Sequence, residues 1–271
     1  MKKSLKNKEK TQKNRKKYDI FKKISIFFNN LIFPDDIKCI FCGRDIPSFY
    51  EKPYCSNCEK LLPKNDGKRC LICDEPIENE AVICDHCQKN KRYFKKARAP
   101  FLYKDLIRKS LLSYKSDNKR YLAKGYAIII AKEIKDWKID LITYVPMTKR
   151  KEKERSFNQS KLLAENLAKF LNLPCLETLE KVSETKSQKT LNYLERQKNL
   201  LSVFNLKDKE LVKNKNVLIV DDIITTCATL NTCAKILSKH ANNIFVCALA
   251  RNALKKEENE NANDFLITTI L

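Results

Sequence analysis

Val217-Leu218-Ile219-Val220-Asp221-Asp222-Ile223-Ile224-Thr225-Thr226-Cys227-Ala228-Thr229 sets an apolar run, two carboxylates and a small, hydroxyl-rich turn in immediate succession. Val217 to Val220 is short, continuous and bounded by polar residues, the pattern of a parallel strand buried on both faces. Beyond the turn, Leu230, Cys233, Ala234 and Leu237 recur at helical spacing, so the loop joins the C-terminal end of a strand to a helix N-terminus. Amides of Thr226 to Thr229 at the helix start, together with the threonine hydroxyls, suit a phosphate. Asp221 and Asp222 suit ribose hydroxyls and a hydrated Mg²⁺. The spacing argues against a phosphatase of the Asp-x-Asp-x-Thr type, because Ile223 stands two positions after Asp221. The competing reading is a polar loop that ends an ordinary strand.

The cysteines carry the second strong signal. Cys39-x-x-Cys42, Cys55-x-x-Cys58, Cys70-x-x-Cys73 and Cys84-x-x-Cys87 form four pairs separated by 12, 11 and 10 residues. Each Cys-x-x-Cys turn supplies two thiolates, so two turns complete a tetrahedral structural Zn²⁺ site and eight thiolates hold up to two ions. Disulfides fit a cytoplasmic chain poorly, and redox pairs do not usually come four in a row. Sequential pairing of the turns is simplest, with a crossed arrangement open, and His86 inside the last turn is read as a bystander. Such zinc folds a module and performs no chemistry.

Of the 271 residues, 43% are hydrophobic, enough for one sizeable core with a smaller appended module. Apolar runs such as Tyr126 to Ala131 fall far short of the roughly 20 residues a bilayer crossing needs. The apolar stretch Ile24 to Phe28 is too brief for a signal peptide, so a cytoplasmic location is expected. The 55 Lys and Arg against 33 Asp and Glu give a net charge of +22. Residues 1 to 23 alone hold eleven bases and two acids. That arm suits nucleic acid or an anionic surface, or serves as a solubilising tail. Aromatic interleaving is thin, which gives sequence-specific base readout no support.

Three further segments stand beside the opening motif: Tyr144-Val145-Pro146-Met147 with Lys149, Arg150 and Arg155-Ser156-Phe157-Asn158-Gln159; Thr185, Ser187-Gln188, Leu191, Arg196 and Asn199; and the eight N-terminal cysteines. In combination they make residues 20 to 251 resemble the ComF family. The resemblance implies an α/β type I phosphoribosyltransferase-like parallel sheet with a small N-terminal double zinc-ribbon module. It also implies 5-phosphoribosyl-1-pyrophosphate with Mg²⁺ as ligand. The 5-phosphate would lie on Thr225, Thr226, Cys227, Ala228 and Thr229, the ribose on Asp221 and Asp222 as the catalytic pair, and the pyrophosphate near Lys149, Arg150 and Arg155. Residues 183 to 199, with Gln188 and Arg196, would form a lid; the alternative is a solvated loop. Single-stranded DNA, a competence helicase and a recombination loader are the partners implied, in natural transformation. An active transferase with an unidentified acceptor is the alternative.

Two positions depart from the family pattern: Ser156 and Cys227 stand where it has glycine. A glycine there supplies positive φ or close backbone approach to phosphate, while the chain as a whole has only 3 glycines, which points to drift. Cys227 at a helix start is also a candidate reactive thiol.

The expected organisation is a basic tail (1–18), an amphipathic helix over Ile20 to Phe33 grouped with the double zinc ribbon (19–90), a phosphoribosyltransferase-like domain (91–251) and a C-terminal extension (252–271). The helix face is read as core packing or membrane-surface docking. Residues 91–97 are expected as a linker. Strands are expected near Ala99 to Tyr103, Asp140 to Val145, Val217 to Val220 and Ile244 to Ala250, and helices over Leu106 to Tyr114, Tyr121 to Trp137 and Phe157 to Leu171.

Overall fold

The structure, a computed structural model, describes residues 38–46, 52–78, 80–183 and 203–253. The basic tail, the Ile20–Phe33 helix, Gln188, Arg196 and the extension beyond 253 lie outside the described residues. The chain forms two compact units, Met1–Lys60 and Leu61–Leu271. Their boundary falls inside the 19–90 span expected as one module.

In the first unit, Cys39 and Cys42 sit in a tight turn closed by Cys39 N–H to Arg44 O (2.8 Å) and Gly43 N–H to Cys39 O (2.8 Å). Gly43 has φ +71°, the left-handed geometry this turn requires. Cys55 precedes the short helix α1 (Ser56–Lys60), which carries Cys58.

The second unit repeats that turn at Cys70 and Cys73. Cys70 N–H bonds Glu75 O and Asp74 N–H bonds Cys70 O. Asp74 takes the left-handed position at φ +65°, and its side chain has a use glycine lacks. It accepts from Ala99 N–H (2.7 Å) and from Arg98 (2.9 Å), tying the cysteine turn to the sheet. Burial pushes the Asp74 carboxyl up to about 6 against those stabilising partners.

After α2 (Asp85–Lys89) come β1 (Lys96–Arg98), β2 (Phe101–Leu102), α3 (Asp105–Ser116), α4 (Leu122–Glu133) and β3 (Leu141–Tyr144). Then follow α5 (Lys149–Arg155), α6 (Gln159–Leu171), β4 (Leu179–Lys181), β5 (Phe204–Leu206), β6 (Asn216–Val220), β7 (Ile223–Ile224), α7 (Ala228–Leu237), β8 (Asn243–Cys247) and β9 (Ala250–Arg251). The main sheet has the order β1-β8-β6-β3, all parallel, with Val217 opposite Leu141 and Ile244. The opening motif's strand is therefore central, and Val217 to Val220 are fully buried.

Alternation splits the strand's side chains between the two faces. Val217 and Ile219 pack with Leu230, Cys233, Ala234 and Leu237 of α7, and with Cys70, Cys73 and Cys87. The second cysteine quartet thus belongs to the core of the sheet domain. Residues 91–97, expected as a linker, are held in place: Tyr93 N–H bonds Asn231 Oδ1 of α7 (2.8 Å), and β1 begins at Lys96. The expected strand near Ala99 is two short strands bending at Ala99–Pro100, and the expected final strand likewise divides into β8, which pairs in the main sheet, and β9, which pairs with β2 and β7 in a second sheet. β4 and β5 pair antiparallel, with Leu179 opposite Leu206 and Lys181 opposite Phe204.

Candidate functional site

β6 delivers Asp221 and Asp222 to the C-terminal edge of the sheet. Asp221 N–H is bound by Cys247 O of neighbouring β8 (3.0 Å). Its Oδ1 accepts from Ser160 Oγ (2.7 Å) and from the Asp222 N–H (2.9 Å). Burial, and then the neighbouring Asp222 charge, push the Asp221 carboxyl up to about 7, with the Ser160 hydrogen bond opposing. Asp222 is 9% exposed and pairs with Lys115 Nζ at 2.5 Å. Lys115 comes from the last turn of α3.

A cavity of about 170 Å³ opens beside the carboxylates, lined by Val145, Pro146, Met147, Lys151, Arg155, Asn158, Gln159, Ser160, Lys181, Asp221 and Asp222. Its wall is built by local rules. Thr148 caps α5 through Lys151 N–H, and Asn158 caps α6 through Lys161 N–H while donating to Val145 O (3.2 Å). Arg120 donates to Ser156 O (2.8 Å) and lies over the Phe157 ring, and Tyr114 OH donates to Gln159 O (2.8 Å). Gln159 is 1% exposed, and its Nε2 has no hydrogen-bond partner among the described residues. A buried amide of that kind calls for an acceptor. Cationic side chains, an orphaned donor and two adjacent carboxylates form a donor set that fits a phosphorylated polyol with Mg²⁺.

Thr225 and Thr226 are exposed, and Ala228 N–H bonds Thr226 Oγ1 (3.4 Å). Cys227 is the N-cap of α7 at φ +64°, and Ser156 closes α5 at φ +66°. Both residues hold a left-handed backbone without being glycine, at a cost of roughly 1–2 kcal/mol per residue. The Cys227 thiol accepts a hydrogen bond from Arg251 Nη1 (3.2 Å). At 2% exposure it is closed to reagents, which argues against a reactive role.

Of the basic residues expected at the pyrophosphate, Arg155 lines the cavity. Lys149 and Arg150 do not, and Arg150 pairs with Glu154 along the outer face of α5 (3.7 Å). Lys151, one helical step on, takes the wall. The segment Thr225 to Thr229 is also outside the cavity lining. Sequence reasoning missed Lys115, Lys151, Ser160 and Lys181. Ser160 directly follows a quoted motif and was within reach, whereas nothing local marks Lys115 or Lys181.

The thiols group as Cys39, Cys42, Cys55, Cys58 and as Cys70, Cys73, Cys84, Cys87, the sulfurs of each set lying within 4.8 Å of one another. This is the sequential pairing. Sulfurs at about 2.3 Å from a tetrahedral Zn²⁺ stand about 3.8 Å apart. Cys42 and Cys55 are at 3.7 Å, and Cys73 and Cys84 at 3.6 Å. Both sets therefore fit the ion. No two of the twelve cysteines form a disulfide. His86 belongs to neither set.

Residues 159–270 match the phosphoribosyl transferase domain. Competence protein F of Haemophilus influenzae is 27% identical over 226 residues, spanning 80% of this chain and 97% of that one. The chain resembles the ComF competence proteins. Competence protein ComFC of Bacillus subtilis is 26% identical over 197 residues, 69% of this chain and 78% of its own. Among solved structures, adenine phosphoribosyltransferase from Thermoanaerobacter pseudethanolicus is 17% identical with a TM-score of 0.34, covering 55% of this chain and 87% of that one. The larger unit has the type I phosphoribosyltransferase fold, an α/β parallel sheet, and the two cysteine quartets are of the zinc-ribbon kind. Among the described residues, no helix is long and apolar enough to cross a membrane.

Proposed function

We propose that this chain is a cytoplasmic ComF-like competence protein that binds 5-phosphoribosyl-1-pyrophosphate with Mg²⁺ and handles single-stranded DNA during natural transformation. The observation that carries the ligand is the juxtaposition of Asp221 and Asp222 with a cavity lined by Lys151, Arg155 and Lys181. Asp221 and Asp222 accept from the ribose hydroxyls. Lys151 and Arg155 balance the pyrophosphate charge, and Gln159 Nε2 gains an acceptor. Mg²⁺, when bound, neutralises the phosphate charge and is held by the carboxylates through its waters. Thr225 to Thr229, at the N-terminus of α7, take the 5-phosphate. Lys115 pairs with Asp222 and holds that carboxylate in place.

The names of the relatives and the +22 charge support the DNA role. Calorimetric titration with 5-phosphoribosyl-1-pyrophosphate and Mg²⁺ tests the ligand, with Asp221→Asn/Asp222→Asn as control. Heat from the wild type and none from the double variant supports the site. No heat from the wild type refutes it. Strand binding is tested by titration at stepped salt, where the affinity of an electrostatic complex falls steeply. An affinity unchanged between low and high salt refutes that part. The retained carboxylate pair favours a second reading, a working transferase. That reading requires pyrophosphate release lost in Asp222→Asn, whereas strand binding should be indifferent to the substitution.

A further inference from the structure

We infer that Cys227 is a positioning residue that couples the metal centre of Cys70, Cys73, Cys84 and Cys87 to the phosphate loop, so that anion binding on the loop is felt at the metal and metal binding shapes the loop. The inference rests on the reading of Thr225 to Thr229 as a phosphate site. Cys227 opens α7, and its thiol accepts from Arg251 Nη1 at 3.2 Å. The same nitrogen donates to Cys73 O at 3.0 Å, and the guanidinium is held by Glu75. Arg251 has 0% exposure, so this bridge is dry.

A second strap runs in parallel. Arg92 donates from Nε to Cys87 Sγ (3.4 Å) and from Nη1 to Thr226 O (3.5 Å). One arginine thus touches a metal-ligating sulfur and the loop backbone. Asn231 adds a third tie: it accepts from Tyr93 N–H, donates to Lys91 O (3.0 Å), and its own N–H binds Cys227 O (2.7 Å).

A tetrathiolate metal centre carries excess negative charge, and hydrogen bonds to its sulfurs set ligand orientation and basicity. Any adjustment of Thr226 or Cys227 around an anion moves the donors that these sulfurs feel. Coupling between two binding events is reciprocal. A glycine at 227, as in the family pattern, has no thiol to make the link, so the coupling through this residue is particular to chains with cysteine here.

The test is cadmium NMR of the full chain loaded with Cd²⁺ at both quartets, with 5-phosphoribosyl-1-pyrophosphate and Mg²⁺ added and binding followed in parallel by calorimetry. The second quartet's resonance is identified as the one displaced by Cys227→Gly without ligand. Binding with a shift of that resonance in the wild type, lost in Cys227→Gly and partly restored in Cys227→Ser, is the expected result. Arg92→Gln, which spares the thiol link, should reduce the shift without abolishing it. Binding by calorimetry with a motionless resonance overturns the coupling and leaves the phosphate site standing. A full shift retained in Cys227→Gly overturns the role of Cys227. Absence of binding by the wild type overturns the phosphate reading and the coupling with it.

Discussion

Asp221→Asn should make the ligand-free protein more stable while destroying its Mg²⁺-dependent ligand site. The wild-type carboxyl has a folded pKa of about 7 against a reference of 3.8. Between those values the folded chain holds a proton that the unfolded chain has released. Stability therefore falls as pH rises through the window, and the penalty is complete above pH 7. Three units at about 1.4 kcal/mol each set a ceiling of about 4 kcal/mol, and local relaxation brings the expectation to about 2–4 kcal/mol. An asparagine keeps the acceptor for Ser160 Oγ and the Asp222 N–H without the buried charge. Its advantage should grow by about 2 kcal/mol from pH 5.5 to pH 8. For a domain of this size that advantage at pH 8 corresponds to a rise in melting temperature of about 5–15 °C. Thermal unfolding of zinc-loaded protein without Mg²⁺, at both pH values, measures it. A variant that melts at or below wild type at pH 8, or whose gain is identical at the two pH values, refutes the account of Asp221 as a strained, functionally retained carboxylate.

Lys115→Met leaves Asp222 largely buried without its cation and should cost about 1–3 kcal/mol, less than a fully buried pair because Lys115 is 25% exposed; adding Asp222→Asn should recover most of the loss in chemical denaturation. Ser156→Gly relieves a left-handed serine at an exposed turn and should raise stability by up to about 1 kcal/mol, read as a shifted denaturation midpoint with unchanged slope. Cys73→Ser removes a ligand from the domain core, where Cys73 is 0% exposed, and should lower the sheet-domain melting temperature and lose one equivalent of bound Zn²⁺. An EDTA challenge gives the complementary readout: loss of metal from the wild type should expose the core packed around Cys70, Cys73 and Cys87, seen as dye binding.

The apolar run Val217 to Val220 was legible because a central parallel strand is buried on both faces and writes that fact as unbroken hydrophobicity. The four Cys-x-x-Cys turns were legible because each is a local geometry and because redox pairs do not usually come four in a row. Helix α6 was readable as local geometry too, with Asn158 as its cap and Asn172 in left-handed conformation at its end. Boundaries were less readable: α4 stops at Glu133, short of the expected Trp137, and a turn continues the chain.

The α/β class, the carboxylate pair at a strand end and the four Cys-x-x-Cys turns were readable in the chain because each depends on neighbours within a few residues, whereas the sequential grouping of those turns came from the folded structure. Only the tertiary structure decided that Lys115 neutralises Asp222 from more than a hundred positions away, that Lys151 and not Arg150 faces the cavity, and that the second quartet lies in the core beside Cys227. The same substitution pattern, glycine to Ser156 and Cys227, looked like drift in one dimension. In three dimensions both residues hold left-handed turns, and the Cys227 thiol shares the Arg251 guanidinium with the Cys73 carbonyl of the second thiol quartet. The physical reason is common to all of these: ion pairs and core packing across strands join residues by the order of the sheet, β1-β8-β6-β3, and that order leaves no mark on any short stretch of chain.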